Sequence, residues 1–412
     1  MKIGYLMQEG GPDVRKLPLT GPANHVLKIY RELQAGGHDL RLLARYDGQI
    51  LISTDLERFE PVVVRKTDLG FRRELESILR GVQSRLRIPY LNLFESLRFA
   101  EACRQELGDR DLFYERMGWM GYGSGLAAKR MQIPLVLEVN NGDFITELER
   151  LGVAPQGFQR WLAIRLMQAA VGRASHIVAT GDGHRQRFIE WWQVDPSRVT
   201  TVENGSELVG LLKREQLTSF CEPPNDQAVV TLVFVGAFEP WHGILILLSA
   251  LAKVVDKHPN LHLILIGSGT LEKEVKELIA ELGLSPYVTL TGQLDIRQVA
   301  DHLAMADIGV APYCGWMEFS GLKLFDYKAA GLAIIATGKD GQPATLTDGE
   351  TALIVPPCDE DALADAILKL AADRGLCRRL GQKARLEAEQ YHTWQHTTRQ
   401  LEAIFGEVLK RK

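Results

Sequence analysis

The chain has 412 residues, 46% hydrophobic and 24% charged, with a formal net charge of −4 at pH 7. That is the balance of a globular protein long enough for two or three domains, each with its own core. No run reaches the roughly 18–20 uninterrupted apolar residues that a membrane helix needs. General nucleic-acid binding is excluded as well, because residues 1–206 carry 28 Lys and Arg against 25 Asp and Glu, and 207–412 carry 20 against 27.

The opening MKIGYLMQEGG is a short apolar run followed by glycines, which predicts a buried first strand at 2–7 and not a signal peptide. Strand-like runs follow at 39–44, 61–64, 112–114, 135–139, 176–180 and 200–202. A second series occupies 229–235, 261–266, 288–291, 308–312, 333–336 and 352–355. Many are continuous Val, Ile and Leu without alternation, the pattern of strands covered on both faces in parallel sheets. Helical spacing fills the gaps, as at 24–35, 158–171, 244–255 and 271–282, so the chain reads as successive right-handed βαβ units. The alternation breaks at 208–227, where charge and prolines mix without a strand pattern. The expected fold is α/β: two Rossmann-like domains, 1–207 and 228–392, facing across a cleft, with a linker at 208–227. A C-terminal helix is expected over 393–412.

Cysteines 103, 221, 314, 358 and 377 are odd in number, dispersed and free of any CxxC pair. This argues against a disulfide framework or zinc knuckle and for a reducing, cytoplasmic setting. Residues 69–87 place apolar side chains at 71, 75, 78, 79, 82 and 86 among Arg72, Arg73, Arg80, Arg85 and Arg87. This is a helical stripe that suits either a packed helix or one lying on an anionic membrane face.

Ligands of open parallel sheets bind beyond the C-terminal strand ends, so the chemistry is sought in the loops after strands. The most informative is PYCGWMEFSGLKLFDYKAAG at 312–331. A strand ends, a loop carries Glu318, and a helix is expected to start near Ser320 as N-cap. The N–H groups of Gly321, Leu322 and Lys323 then form an anion site. Lys323 places a positive charge in a first turn that by itself favours a negative one, a reversal that a bound phosphate explains.

An acidic residue, seven intervening residues and a second acid, Asp326, at such a helix start resemble the E-x7-E element of glycosyltransferase family 4, the retaining enzymes of the two-domain GT-B type. The resemblance implies that Glu318 contacts hydroxyls of a donor sugar and that Asp326, one methylene shorter than the usual Glu, holds the ribose of the nucleotide. It implies glycosyl transfer from a nucleotide-diphospho-sugar without a cofactor. Val235-Gly236 followed by Ala237–Gly243 resembles the family's phosphate loop, with Ala237 and His242 where the family has Arg and Lys. Lys323, and His242 when protonated, compensate. Ile266-Gly267-Ser268-Gly269 fits the family's Gly-x-Gly loop and fails the dinucleotide pattern, because residue 272 is Glu. Leu294 closes the Thr291–Leu294 loop, where the resemblance places backbone contacts to the base. Gly21-Pro22-Ala23-Asn24-His25 resembles the glycine loop under the donor phosphates, and Glu203–Glu207 the N-G-x-D/E signature closing the first domain.

On the acceptor side the family's histidine is missing, and Glu115, Arg116 and Asn140 are the candidates to meet a glycan, lipid-linked or small-molecule acceptor. The D-x-D matches, 109–111 and 359–361, precede a strand and open a helix, so no metal site is expected. Two rivals stay open: a non-catalytic GT-B protein that binds a nucleotide-sugar or a partner, and a GT-B epimerase or phosphorylase.

Overall fold

A computed structural model describes all residues except 9–11, 18, 65–70, 86–91, 141–143, 151, 221–228, 315–320, 339–344 and 412. The chain divides into two compact units, Met1–Glu203 together with Thr397–Lys412, and Asn204–His396.

In the first unit the strands are β1 (Lys2–Met7), β2 (Asp39–Tyr46), β3 (Gln49–Ser53), β4 (Glu60–Pro61), β5 (Leu112–Arg116), β6 (Leu135–Val139), β7 (His176–Ala179) and β8 (Val199–Thr201). They form one sheet in the order β4-β3-β2-β1-β5-β6-β7-β8. The chain runs outward from β1 in one direction and from β5 in the other. β1 pairs in parallel with both β2 and β5, Ile3 facing Leu40 and Leu112. The apolar runs predict this interior: Ile3, Leu6, Leu43, Phe113 and Ile177 are wholly buried. The parallel expectation fails at the far edge, where β3 turns back at Asp47-Gly48 to pair antiparallel with β2, and β4 pairs antiparallel with β3. The helix expected from 24 begins at Gly21, because Thr20 caps it and Pro22 fits its first turn. The residues from Thr397 onward pack into this unit; Phe405 sets its ring 5.2 Å from that of Tyr114, and His38 Nε2 lies 2.8 Å from Glu402 Oε1.

The second unit holds β9 (Val230–Val235), β10 (Leu261–Ile266), β11 (Val288–Gly292), β12 (Ile308–Ala311), β13 (Ala333–Thr337) and β14 (Ala352–Val355), all parallel, in the order β11-β10-β9-β12-β13-β14. Its core joins Leu232 and Phe234 of β9 and Leu263 and Leu265 of β10 to Leu247, Leu248 and Leu251 of the helix Ile244–Ala252. The expectation of no disulfide fails here: Cys314 and Cys358 are bonded, with Cα atoms 4.9 Å apart. They stand 44 residues apart in sequence, and the sheet brings the loops after β12 and β14 to the same end. Cys103 and Cys377 are free thiols, both buried. Among the described residues no helix is long and apolar enough to cross a membrane.

Candidate functional site

In the second unit the strand order reverses between β9 and β12, and ligands of open α/β sheets bind at such a switch point. The loops leaving these two strands carry Gly236 and His242 on one side and the helix Leu322–Ala329 on the other. Gly236 stands at φ +146°, and a Cβ there would lie 2.9 Å from Lys323 Nζ. The neighbouring Gly267 has φ +134°, and a Cβ on it would come within 2.0 Å of the Gly236 carbonyl oxygen. The two loops therefore meet backbone to backbone, and no other residue fits the seam.

The Leu322–Ala329 helix has Gly321 at its N-cap and no side-chain cap. The cap position thus falls one residue beyond the expected Ser320, which lies outside the described residues together with Glu318. Lys323 in the first turn is only 9% exposed, and its Nζ has no hydrogen-bond partner among the described residues. The ammonium faces the rings of Phe234 at 4.2 Å and Tyr313 at 5.0 Å. Burial pushes its pKa down to about 7, since a charge out of water is costly unless paired. An unpaired buried amine is the kind of group that awaits an anion.

His242 sits against the same pocket wall, its ring 5.8 Å from that of Tyr313. Its Nδ1 lies 2.5 Å from the Ala237 carbonyl oxygen, so that nitrogen carries the proton. Burial, with the nearby charge of Lys323, pushes the imidazole down to about 4. On the protein's own groups His242 is neutral at pH 7, and the protonated state expected from the sequence requires a bound anion to raise it.

Asp326 lies one helical turn beyond Lys323, and its Oδ1 accepts a 2.6 Å hydrogen bond from Ser206 Oγ. The 203–207 motif and the second acid are thus directly joined. Leu294 follows β11 half-buried against the core, while its neighbour Gln293 donates to Ser268 Oγ at 2.9 Å. The structure therefore gathers Gly236, His242, Gly267, Gly321, Leu322 and Lys323 around one switch point. The sequence pattern does not single out Phe234 and Tyr313, which wall the amine, nor Tyr327, whose hydroxyl accepts from Val235 N at 2.9 Å and donates to the Val310 carbonyl at 3.2 Å.

The remaining candidates belong to the first unit. Gly21 is exposed in the first turn of its helix. Glu115 is buried and accepts from Ser124 Oγ. Arg116, the next residue of β5, points the other way and donates to Glu138 Oε1 at 3.1 Å. That oxygen also accepts from Asn140 at 2.6 Å and lies 2.9 Å from His25 Nε2, while Tyr114 donates to Oε2. Burial opposes ionisation of Glu138, but His25, Arg116 and Tyr114 outweigh it and hold the carboxyl well below the usual range. Glu138, in the polar cluster that ends β6, is the group on which Arg116 and Asn140 are anchored. Among the described residues no cluster of three or more His, Cys, Asp or Glu suits a metal.

Two family models match the chain: "Glycosyl transferases group 1" over residues 220–387 and "Glycosyl transferase 4-like domain" over 20–205. The phosphatidyl-myo-inositol mannosyltransferase of Mycolicibacterium smegmatis is 30% identical over 400 residues, covering 94% of this chain and 90% of that protein. The D-inositol 3-phosphate glycosyltransferase of Streptomyces bingchenggensis is 26% identical over 318 residues, 74% of this chain and 68% of that protein. Among solved structures, a sucrose-phosphate synthase from Thermosynechococcus elongatus matches over 100% of both chains with a TM-score of 0.73 at 19% identity. HepE from Anabaena, in complex with UDP, matches 99% of this chain and 100% of its own with a TM-score of 0.69 at 17% identity.

Proposed function

The chain belongs to the group 1 glycosyltransferases of GT-B fold, and on that footing we propose that it moves a sugar from a nucleotide-diphospho-sugar to an acceptor hydroxyl, with retention and without a metal ion. The observation that carries this reading is the buried Lys323 amine, which has no hydrogen-bond partner among the described residues, at a helix start beside Gly236. When a nucleoside diphosphate leaves the anomeric carbon, negative charge builds on its phosphates and positive charge on the sugar ring. A fixed ammonium and the first N–H groups of a helix stabilise the phosphates without reorganising, the role a divalent ion has elsewhere. Gly236 and Gly267 let the backbone approach the diphosphate, Asp326 receives the ribose hydroxyls, and Leu294 borders the base. Glu318 is assigned to the sugar hydroxyls. No side chain is nominated as nucleophile, so attack on the face the leaving group vacates is the simplest account of retention.

The test is the pH dependence of binding of UDP, the diphosphate held by HepE, and of GDP. Lys323 has a pKa of about 7 in the protein alone, and a bound diphosphate raises it. Binding therefore takes up a proton above pH 7. Affinity should be greatest near pH 7 and fall as pH rises towards the bound-state value, by at most tenfold per unit. Calorimetry in buffers of different ionisation enthalpy should show proton uptake at pH 8; pH-independent binding without uptake removes Lys323 from the phosphate site.

For the acceptor we propose a lipid-linked or glycan hydroxyl, met by Arg116 and Asn140 and delivered at a membrane surface. The helix Phe71–Arg85 supports this. Among its described side chains the buried one is Glu76, which accepts from Arg80 and Arg98, whereas Leu75, Ile78, Leu79 and Val82 face solvent, Ile78 being 63% exposed. These four apolar side chains are thus not spent on the core, as they would be in an ordinary packed helix. Residues 69, 70, 86 and 87 of the stretch, and the side chains of 71–73 and 84, lie outside what the structure describes. The protein should float with vesicles of anionic lipid, salt-sensitively, and Ile78→Glu should abolish flotation without lowering UDP affinity. Equal recovery of both proteins in the pellet fraction would sink the idea.

A further inference from the structure

The loops of the candidate donor site carry one feature that sugar transfer does not use, the Cys314–Cys358 disulfide. Cys314 stands three residues after the end of β12 and Cys358 three after the end of β14, and β13 lies between those strands. The bond therefore ties two loops at the end of the sheet where ligands bind. Cys314 is also built into the wall around Lys323. Its N–H donates to the Trp241 carbonyl at 3.1 Å, joining it to the segment that presents His242. The preceding residue, Tyr313, places its ring 5.0 Å from Lys323 Nζ and 5.8 Å from the ring of His242. Thr337 Oγ1 holds the Tyr313 carbonyl at 2.6 Å. Cys358 is exposed, whereas Cys314 is partly buried. Cys358 also has φ +59°, a left-handed conformation that an L-residue adopts at a cost.

We propose that Cys314–Cys358 is a thiol–disulfide exchange site for dithiol reductants, and that its reduction weakens binding of the donor's diphosphate. A thiolate of the reductant attacks the accessible Cys358 sulfur. The S–S bond breaks, Cys314 leaves as a thiolate and takes a proton, and a mixed disulfide to Cys358 remains. The second thiol of the reductant attacks its own disulfide-bonded sulfur, releasing Cys358 as a thiol. Two electrons and two protons pass to the protein, and the reductant departs as its disulfide. The backbone after β12 then loses its covalent tie to the loop after β14. Tyr313 and Trp241, which share that backbone and its hydrogen bond, hold the Lys323 amine and His242 less firmly. Cys103 and Cys377 are buried, and burial pushes both thiols up, so neither supplies a thiolate that attacks the 314–358 bond. The effect on binding rests on the donor reading of these loops; the exchange chemistry does not.

The experiment uses the full chain, oxidised in air and, separately, reduced with excess dithiothreitol. Peptide mass mapping without reductant should find the 314–358 cross-link in the first sample and lose it in the second. The reduced form should bind UDP or GDP about tenfold more weakly, in the range of ordinary coupling between sites. Cys358→Ser should match the reduced form under either condition. Amide exchange at residues 241–243 and 313–314 should be faster after reduction. No cross-link on oxidation, or equal affinities and equal exchange in the two forms, overturns the proposal. Faster exchange with no diphosphate bound by either form would instead remove the donor reading and leave the exchange site standing.

Discussion

Lys323→Met is expected to give a protein more stable than its parent and nearly without activity. The methionine fills the same space between Phe234 and Tyr313 and removes a buried charge that finds no partner among the described residues. Ligand-free stability should rise by roughly 1–4 kcal/mol, the gain seen when apolar groups replace buried ions. The same change removes an ammonium placed against the candidate phosphate site, so kcat/KM should fall by about two to three orders of magnitude. The fall of UDP affinity above pH 7 that comes from the Lys323 proton should disappear with it. Thermal melts and turnover measured on one preparation decide the matter. A variant that is less stable, or that keeps parental turnover, would show the amine to be a packing residue.

Glu318→Gln should cost the most turnover of any single change that leaves the nucleotide bound. Glu318 lies outside the described residues, and its assignment comes from the spacing to Asp326 and the family to which the chain belongs. A carboxylate against two sugar hydroxyls makes charge-assisted hydrogen bonds, and its charge favours a ring that turns cationic in the transition state. The glutamine keeps the shape and loses the charge, so kcat should fall by roughly a hundredfold or more while UDP affinity stays within about threefold. Asp326→Ala should do the reverse. A ribose contact is present in ground and transition states alike, and removing it also leaves Ser206 without its 2.6 Å acceptor, so UDP affinity should drop while kcat changes little. Parental sugar transfer by Glu318→Gln would favour a chain that binds a nucleotide-sugar without turning it over.

The parallel sheets were legible because buried strands announce themselves as unbroken Val, Ile and Leu, as in TLVFV before Gly236 and LHLILI before Gly267. The edge hairpin was not, because only the Asp47-Gly48 turn separates β2 from β3, and β4 spans two residues. At the site, Lys323 stood out as a cation where helix electrostatics favours an anion. Its burial did not, because that depends on Phe234 and Tyr313 meeting across the switch point, a fact of strand order. The neutral state of His242 has the same origin, since the Ala237 carbonyl and the Lys323 charge act on it only once the loops are folded. The four donors that meet at Glu138 come from separate positions in the sequence and converge only in three dimensions.

The membership of Thr397–Lys412 in the first unit bears on how the chain is made. A ribosome delivers residues 1–203 first, yet that sheet lacks Leu401 and Phe405, both wholly buried, until the last stretch of chain emerges. The second unit, Asn204–His396, is continuous and has its whole sequence available earlier. Synthesis therefore runs N-terminal first while completion runs the other way, against the common order of vectorial folding. A nascent chain stalled before 397 would hold a finished second unit and a first unit whose Tyr114 still lacks the ring that covers it.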